Sequence, residues 1–164
     1  MKKLSQKVFN VLKKKRLKIS FAESCTGGLL SSTITSINGS SKVFSMGLVA
    51  YSNQSKINLL KVPKKTITKY GAVSYETCLH MVKNINKISK THISVSITGI
   101  AGPGGGSADK PVGRVFISLA GPEGFSNTKK LNLRGSREEV RAQAALYALD
   151  LLRRALIRVA KKKR

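Results

Sequence analysis

The chain has 164 residues, with 31 Lys and Arg against seven Asp and Glu, a formal net charge of +24. Its length and 41% hydrophobic content predict one folded domain over residues 1–164, with a short basic tail at about 160–164, and exclude a disordered polyelectrolyte. The seven carboxylates (Glu23, Glu76, Asp109, Glu123, Glu138, Glu139, Asp150) are too few and scattered to suggest two-metal or paired-carboxylate catalysis, and two cysteines and two histidines without ligand spacing suggest no structural metal site.

Leu4, Val8, Val11 and Leu12 recur at helical spacing, so residues 2–16 read as an amphipathic helix. Residues 17–22 alternate apolar and polar and read as a strand. The strand runs into Glu23-Ser24-Cys25-Thr26-Gly27-Gly28 and then a helix through Leu29, Leu30 and Ile34. Asn38-Gly39-Ser40-Ser41 is a turn, Phe44 to Ala50 a second strand, and Ser52-Asn53-Gln54 caps a short helix carrying Lys56. Pro63 and Gly71 bracket a polar connection. A helix follows from Ser74, with Leu79, Val82 and Ile85 on one face.

Residues 92–98 alternate cleanly as a strand, and a glycine loop runs from Gly99 to Gly113. Arg114 to Ala120 and Asn127 to Leu133 read as a hairpin joined through Gly121-Pro122-Glu123-Gly124. The last helix opens with a capping box at Ser136 and Glu139, and Val140, Ala144, Tyr147, Leu151 and Ala155 mark its buried stripe. Alternating helices and strands with a terminal hairpin predict a three-layer α/β/α sandwich around a central mixed sheet.

No apolar segment follows Met1-Lys2-Lys3 in the manner of a signal peptide, and no run approaches the roughly 20 apolar residues of a membrane span. Two cysteines in a core-rich chain read as reduced thiols, so a cytoplasmic protein without membrane contact is expected. The positive charge has two readings: a surface for nucleic acid or anionic membranes, or a compositional bias of a solvated surface. Nucleic-acid binding is the less favoured, because no aromatic residue sits in a basic stacking pattern.

Three segments can carry chemistry. The first is Ser24-Cys25-Thr26-Gly27-Gly28 at a strand-to-helix junction. A hydroxyl there projects above the sheet edge, and the following N–H groups are helix donors able to hold an oxyanion; an ordinary N-cap is the alternative. Neither His80 nor His92 lies in a setting that suggests a base, so the base would be a lysine, for which Lys56 is a candidate. Cys25 is a rival nucleophile, or a small buried thiol. The second segment, Thr98-Gly99-Ile100-Ala101-Gly102-Pro103-Gly104-Gly105-Gly106, fits neither nucleotide-binding glycine motif, yet its amides can face an anion; it can equally be a plain connection. Lys110 closes that loop and adds a cation. The third is Arg137 with Arg141, one helical turn apart: a phosphate clamp or a solvated helix face.

Taken in order, Ala22-Glu23-Ser24-Cys25-Thr26-Gly27-Gly28, Gly39-Ser40-Ser41, Tyr51-Ser52-Asn53 with Lys56, Gly71-Ala72-Val73-Ser74, Gly99-Ile100-Ala101-Gly102-Pro103 and Lys110-Pro111-Val112-Gly113 closely resemble the CinA C-terminal domain family, the nicotinamide-nucleotide amidohydrolases. The resemblance covers about residues 4–155 and suggests the stand-alone form. It implies hydrolysis of nicotinamide mononucleotide (NMN) to nicotinate mononucleotide and ammonia, in pyridine nucleotide recycling. It also implies a Ser24 nucleophile with proton transfer assisted by Tyr51 and Lys56, no metal or organic cofactor, and a homo-oligomeric assembly. Substrate contacts are then expected from Cys25, Thr26, Gly27, Gly28, Thr98, Gly99, Ala101, Gly102, Lys110, Arg137 and Arg141.

Overall fold

The computed structural model describes residues 1–161. Strands β1 (Ile19–Glu23), β2 (Phe44–Val49), β3 (Ile93–Gly99), β4 (Arg114–Ala120) and β5 (Ser126–Asn132) form one mixed sheet in the order β2-β1-β3-β4-β5. The first three strands are parallel, and β4 and β5 are each antiparallel to the strand before them. Helices α1 (Lys2–Lys15), α2 (Leu29–Thr35) and α6 (Arg137–Lys161) cover one face. Helices α4 (Lys64–Tyr70) and α5 (Tyr75–Ser89) cover the other, with the segment that follows the short α3 (Asn53–Asn58). The expected α/β/α sandwich with a mixed sheet is what the chain forms.

The two faces of the sheet are chemically unlike. Successive strand side chains point to opposite faces. Ile19 and Phe21 of β1, Ile93, Val95 and Ile97 of β3, and Val115, Ile117 and Leu119 of β4 join Val8, Leu12, Leu30, Ile34, Leu149 and Leu152 in the larger core. Among the alternate positions Ser20, Ser94, Ser96, Thr98 and Ser118 carry hydroxyls, and each of these buried groups finds a partner. Ser20 Oγ lies 2.9 Å from Thr91 Oγ1 and 2.8 Å from Ser94 Oγ, and Ser96 Oγ donates to the Cys78 carbonyl at 2.7 Å. His92 is structural too: its Nδ1 accepts from the Lys18 amide at 2.9 Å.

Several local expectations are corrected. The stretch between Pro63 and Gly71 is a helix, α4, rather than a connection. Its two turns present only Thr66 and Ile67 to the interior, too little apolar periodicity to register as a pattern. Along α6, Tyr147 is 52% exposed, and the buried stripe runs through Val140, Ala144, Ala145, Ala148, Leu149, Leu152 and Leu156. The small Ala144, Ala145 and Ala148 occupy the packed side of the helix, and Tyr147 lies outside it. On α5 the buried residues include Cys78 and Met81, while Leu79 is half-buried. Helix α6 runs through Lys161, so the expected tail at 160–164 is partly helical, and residues 162–164 lie outside the described residues.

Candidate active site

The parallel strands β1, β2 and β3 end at one edge of the sheet, where sites collect in open α/β folds. Ser24 follows the last residue of β1, and its amide donates to Ile97 O at 3.0 Å, tying it to β3. Gly27 (φ 60°) and Gly28 (φ 93°) both occupy the left-handed region, which turns the chain sharply into α2 with little steric cost. On the far side of β1, Ser52 caps α3 by accepting from the Ser55 amide at 3.0 Å. That cap aims Lys56 inward.

Lys56 is 1% exposed. Its Nζ lies 3.0 Å from Ser24 Oγ, 2.9 Å from Ala50 O and 3.0 Å from Tyr51 O. Burial pushes its pKa below the ordinary lysine range, and the neighbouring Cys25 only partly opposes that shift. A neutral amine has two N–H groups and one lone pair. The two carbonyls can take the N–H groups, leaving the lone pair for the Ser24 hydroxyl. Cys25 lines the same cleft, but burial, with the nearby Cys78 thiol, pushes its pKa up to about 12. Of the two junction side chains, the hydroxyl has the base and the thiol remains protonated.

The cleft around this pair has a volume of about 240 Å³. Among the anticipated residues, Ser24, Cys25, Tyr51, Lys56, Thr98, Gly99, Ala101, Gly102 and Arg137 line it. Arg137 spans its mouth, donating to Gly102 O at 2.7 Å and to Tyr51 Oη at 2.7 Å. The Tyr51 phenol is thus held by Arg137, and it is the Tyr51 main chain that meets the amine. Asn53, Ala72, Val73, Ile100, Gly104 and Gly105 also line the cleft and were not anticipated as contacts. All lay within segments already singled out, and Thr98 Oγ1, donating to Ala72 O at 2.9 Å, brings the α4–α5 connection into the wall.

Other anticipated contacts lie elsewhere. Arg141 donates to Thr26 O at 2.9 and 3.3 Å, bracing the loop from behind, so Arg137 and Arg141 do not form a joint clamp. One helical turn aligns their backbones, yet their long side chains reach different loops. Lys110 Nζ donates to Tyr70 O and borders a separate groove, because the glycine loop folds back at Ser107 before reaching it. Thr26 is buried beneath the junction, and Gly27 and Gly28 form the turn into α2; none of the three lines the cleft.

The donors at the start of α2 are not free, contrary to expectation. The carboxylate of Glu23 accepts from the amides of Gly28, Leu30 and Ser31 and from the hydroxyls of Thr26 and Ser31. Sequence reading missed this residue. Its position at the end of a buried strand, directly before the nucleophile candidate and short of any basic partner, was the available signal.

A family model described as the CinA C-terminal domain matches residues 1–156. Among curated relatives, a CinA-like protein of Kosmotoga olearia is 51% identical over 154 residues, which is 94% of this chain and 37% of that protein. A CinA-like protein of Fervidobacterium nodosum is 48% identical over 157 residues, 96% of this chain and 38% of that one. The chain therefore spans under two fifths of the length of these relatives. Among solved structures, the competence/damage inducible protein CihA of Agrobacterium tumefaciens superposes with a TM-score of 0.92 at 38% identity, covering 94% of each chain. A CinA superfamily protein from Klebsiella pneumoniae superposes with a TM-score of 0.91 at 29% identity, covering 95% of this chain and 97% of the other.

Proposed function

The chain belongs to the CinA C-terminal domain family, and from that membership and the site geometry we propose that it hydrolyses the carboxamide of NMN to nicotinate mononucleotide and ammonia. The observation that carries the reading is the 3.0 Å separation of Lys56 Nζ and Ser24 Oγ in a buried setting. Hydrolysis of an unactivated amide needs a nucleophile, a base that becomes an acid for the leaving amine, and donors for the oxyanion. A buried lysine beside a serine supplies the first two with one proton carrier.

In the proposed sequence, Ser24 Oγ attacks the carboxamide carbon as its proton passes to Lys56 Nζ. The tetrahedral intermediate collapses, the C–N bond breaks, and the Lys56 proton goes to the departing nitrogen as ammonia. Water then attacks the ester on Ser24, giving its proton to Lys56. The C–O bond to Ser24 breaks, Ser24 regains that proton, and the nicotinate product leaves. Backbone amides near Ser24 hold the oxyanion. Arg137, the one Arg bordering the cleft among the described residues, anchors the substrate phosphate with the amides of the Gly102–Gly105 loop. Purified protein given NMN should release ammonia and nicotinate mononucleotide in equal amounts. Absence of ammonia over a range of pH and substrate concentration would overturn the reading.

A further inference from the structure

Building on the Ser24 nucleophile proposed above, we infer that Glu23 is a positioning residue that fixes the oxyanion-binding backbone. Glu23 is completely buried. Its Oε2 accepts from Thr26 Oγ1 at 2.7 Å and from the amides of Gly28 and Leu30 at 3.1 Å each. Its Oε1 accepts from the Ser31 amide at 2.8 Å and from Ser31 Oγ at 2.6 Å. The protein's own carboxylate therefore consumes the donors at the start of α2, which are then closed to substrate.

The neighbouring amides are accounted for as well. Ser24 N donates to Ile97 O, Gly27 N to Ser24 O and Leu29 N to Thr26 O. The amides of Cys25 and Thr26 stand outside this set, directly after the nucleophile. The segment that carries them is pinned from within by Thr26 Oγ1 on Glu23 and from behind by Arg141 on Thr26 O. Of the two residues, Cys25 lines the cleft beside Ser24, and Glu23 fixes the turn that carries its amide while withholding the donors of α2. Room for this arrangement comes from β2, where a Cβ at Gly47 would collide with Ser31 Oγ.

A carboxylate is the side chain this cluster requires. It only accepts, and all five groups facing it can donate. Glutamine keeps the shape but turns an NH2 toward either the Ser31 pair or the Thr26, Gly28 and Leu30 group. The loop must then shift, and a misplacement of about 1 Å at a reacting centre costs on the order of 100-fold.

The test reads Ser24 directly, without relying on the identity of the substrate. A fluorophosphonate reacts by forming the Ser24 Oγ–P bond and releasing fluoride, with its phosphoryl oxygen in the oxyanion site and the serine proton passing to Lys56. Glu23→Gln should slow this labelling by about 100-fold. NMN affinity, measured on a Ser24→Ala background, should change less than about three-fold, and the pH midpoint of labelling should stay where Lys56 sets it. Equal labelling rates in wild type and Glu23→Gln would overturn the inference, as would parallel losses of labelling and NMN affinity. Absence of Ser24 labelling in the wild type would overturn the nucleophile itself. If Glu23→Gln does not fold, Thr26→Val removes a single donor to the carboxylate and should slow labelling about ten-fold; an unchanged rate there overturns the inference.

Discussion

Lys56 Nζ and Ser24 Oγ stand 3.0 Å apart although 32 residues separate them in the chain. Two parallel strands and a capped short helix bring them together, and burial does the rest. A solvated lysine would be a poor base near neutral pH, while one stripped of water gives up its proton more readily.

With Lys56 as the base, kcat/KM should rise with pH and level off before about pH 10.4, where an exposed lysine titrates. The sign for stability follows from the same lowered value. The folded state binds fewer protons than the unfolded state between the lowered folded pKa and the unfolded one, so the Lys56 contribution to stability grows as pH rises through that window and falls as pH drops. The unfolding free energy of wild type relative to Lys56→Met should therefore shift toward wild type with rising pH. Paired denaturant titrations check this, and a pH-independent difference would contradict it.

Tyr51 and Arg137 should affect binding more than chemistry. The phenol is bonded to Arg137, and the link to Lys56 runs through the Tyr51 carbonyl, which Tyr51→Phe retains. Tyr51→Phe should leave the rate of Ser24 labelling within about three-fold of wild type and weaken NMN affinity. Arg137→Ala removes a charged donor and should raise KM by about 10- to 100-fold with a smaller change in kcat. A Tyr51→Phe enzyme that binds normally but has lost most of its kcat would place the phenol in the proton path instead.

The thiols offer an independent check on the nucleophile. Cys25 and Cys78 are both buried, and burial raises both pKa values. Neither should react with iodoacetamide in the native protein at pH 8, whereas both should react after denaturation. Cys25→Ala should keep activity within about ten-fold. Activity loss on alkylation of native Cys25 would favour the thiol.

Gly113 anchors the far end of the glycine loop to the strand β5 terminus. It sits at φ 85°, and a Cβ there would collide with the Leu133 carbonyl, whose own amide donates to Gly113 O at 2.8 Å. Gly113→Ala should cost at least about 2 kcal/mol, combining left-handed strain with the clash. At roughly 2–4 °C per kcal/mol for a chain of this size, calorimetry should show a clear fall in Tm.

Much of the fold was legible because it is written in periodicity. The alternation of residues 92–98 identified β3, which spans Ile93–Gly99, and the Ser136–Glu139 capping box marked the start of α6, where the Ser136 amide donates to Glu139 at 2.7 Å. Helix α4 was invisible because it buries almost nothing. The site was partly legible. Ser24 stood out at its strand-to-helix junction, whereas Lys56 was one candidate among 31 basic residues until the family resemblance gave it a role; one-turn spacing paired Arg141 with Arg137, and only side-chain reach separates them. Glu23 was seen as one of few acids and not as an acceptor, since its partners are mostly backbone amides that leave no mark in a sequence. The +24 charge says least about the site: among the described residues, Lys56 and Arg137 are the basic ones that line the cleft.

The central claim is that Ser24, served by Lys56, opens the carboxamide of NMN. The direct measurement is ammonia release from NMN by wild type, Ser24→Ala and Lys56→Ala, each verified as folded. The account predicts release by wild type and a fall of at least about 1,000-fold in kcat for both variants, the scale on which nucleophile and base act as a unit. Near wild-type turnover by Ser24→Ala would contradict it.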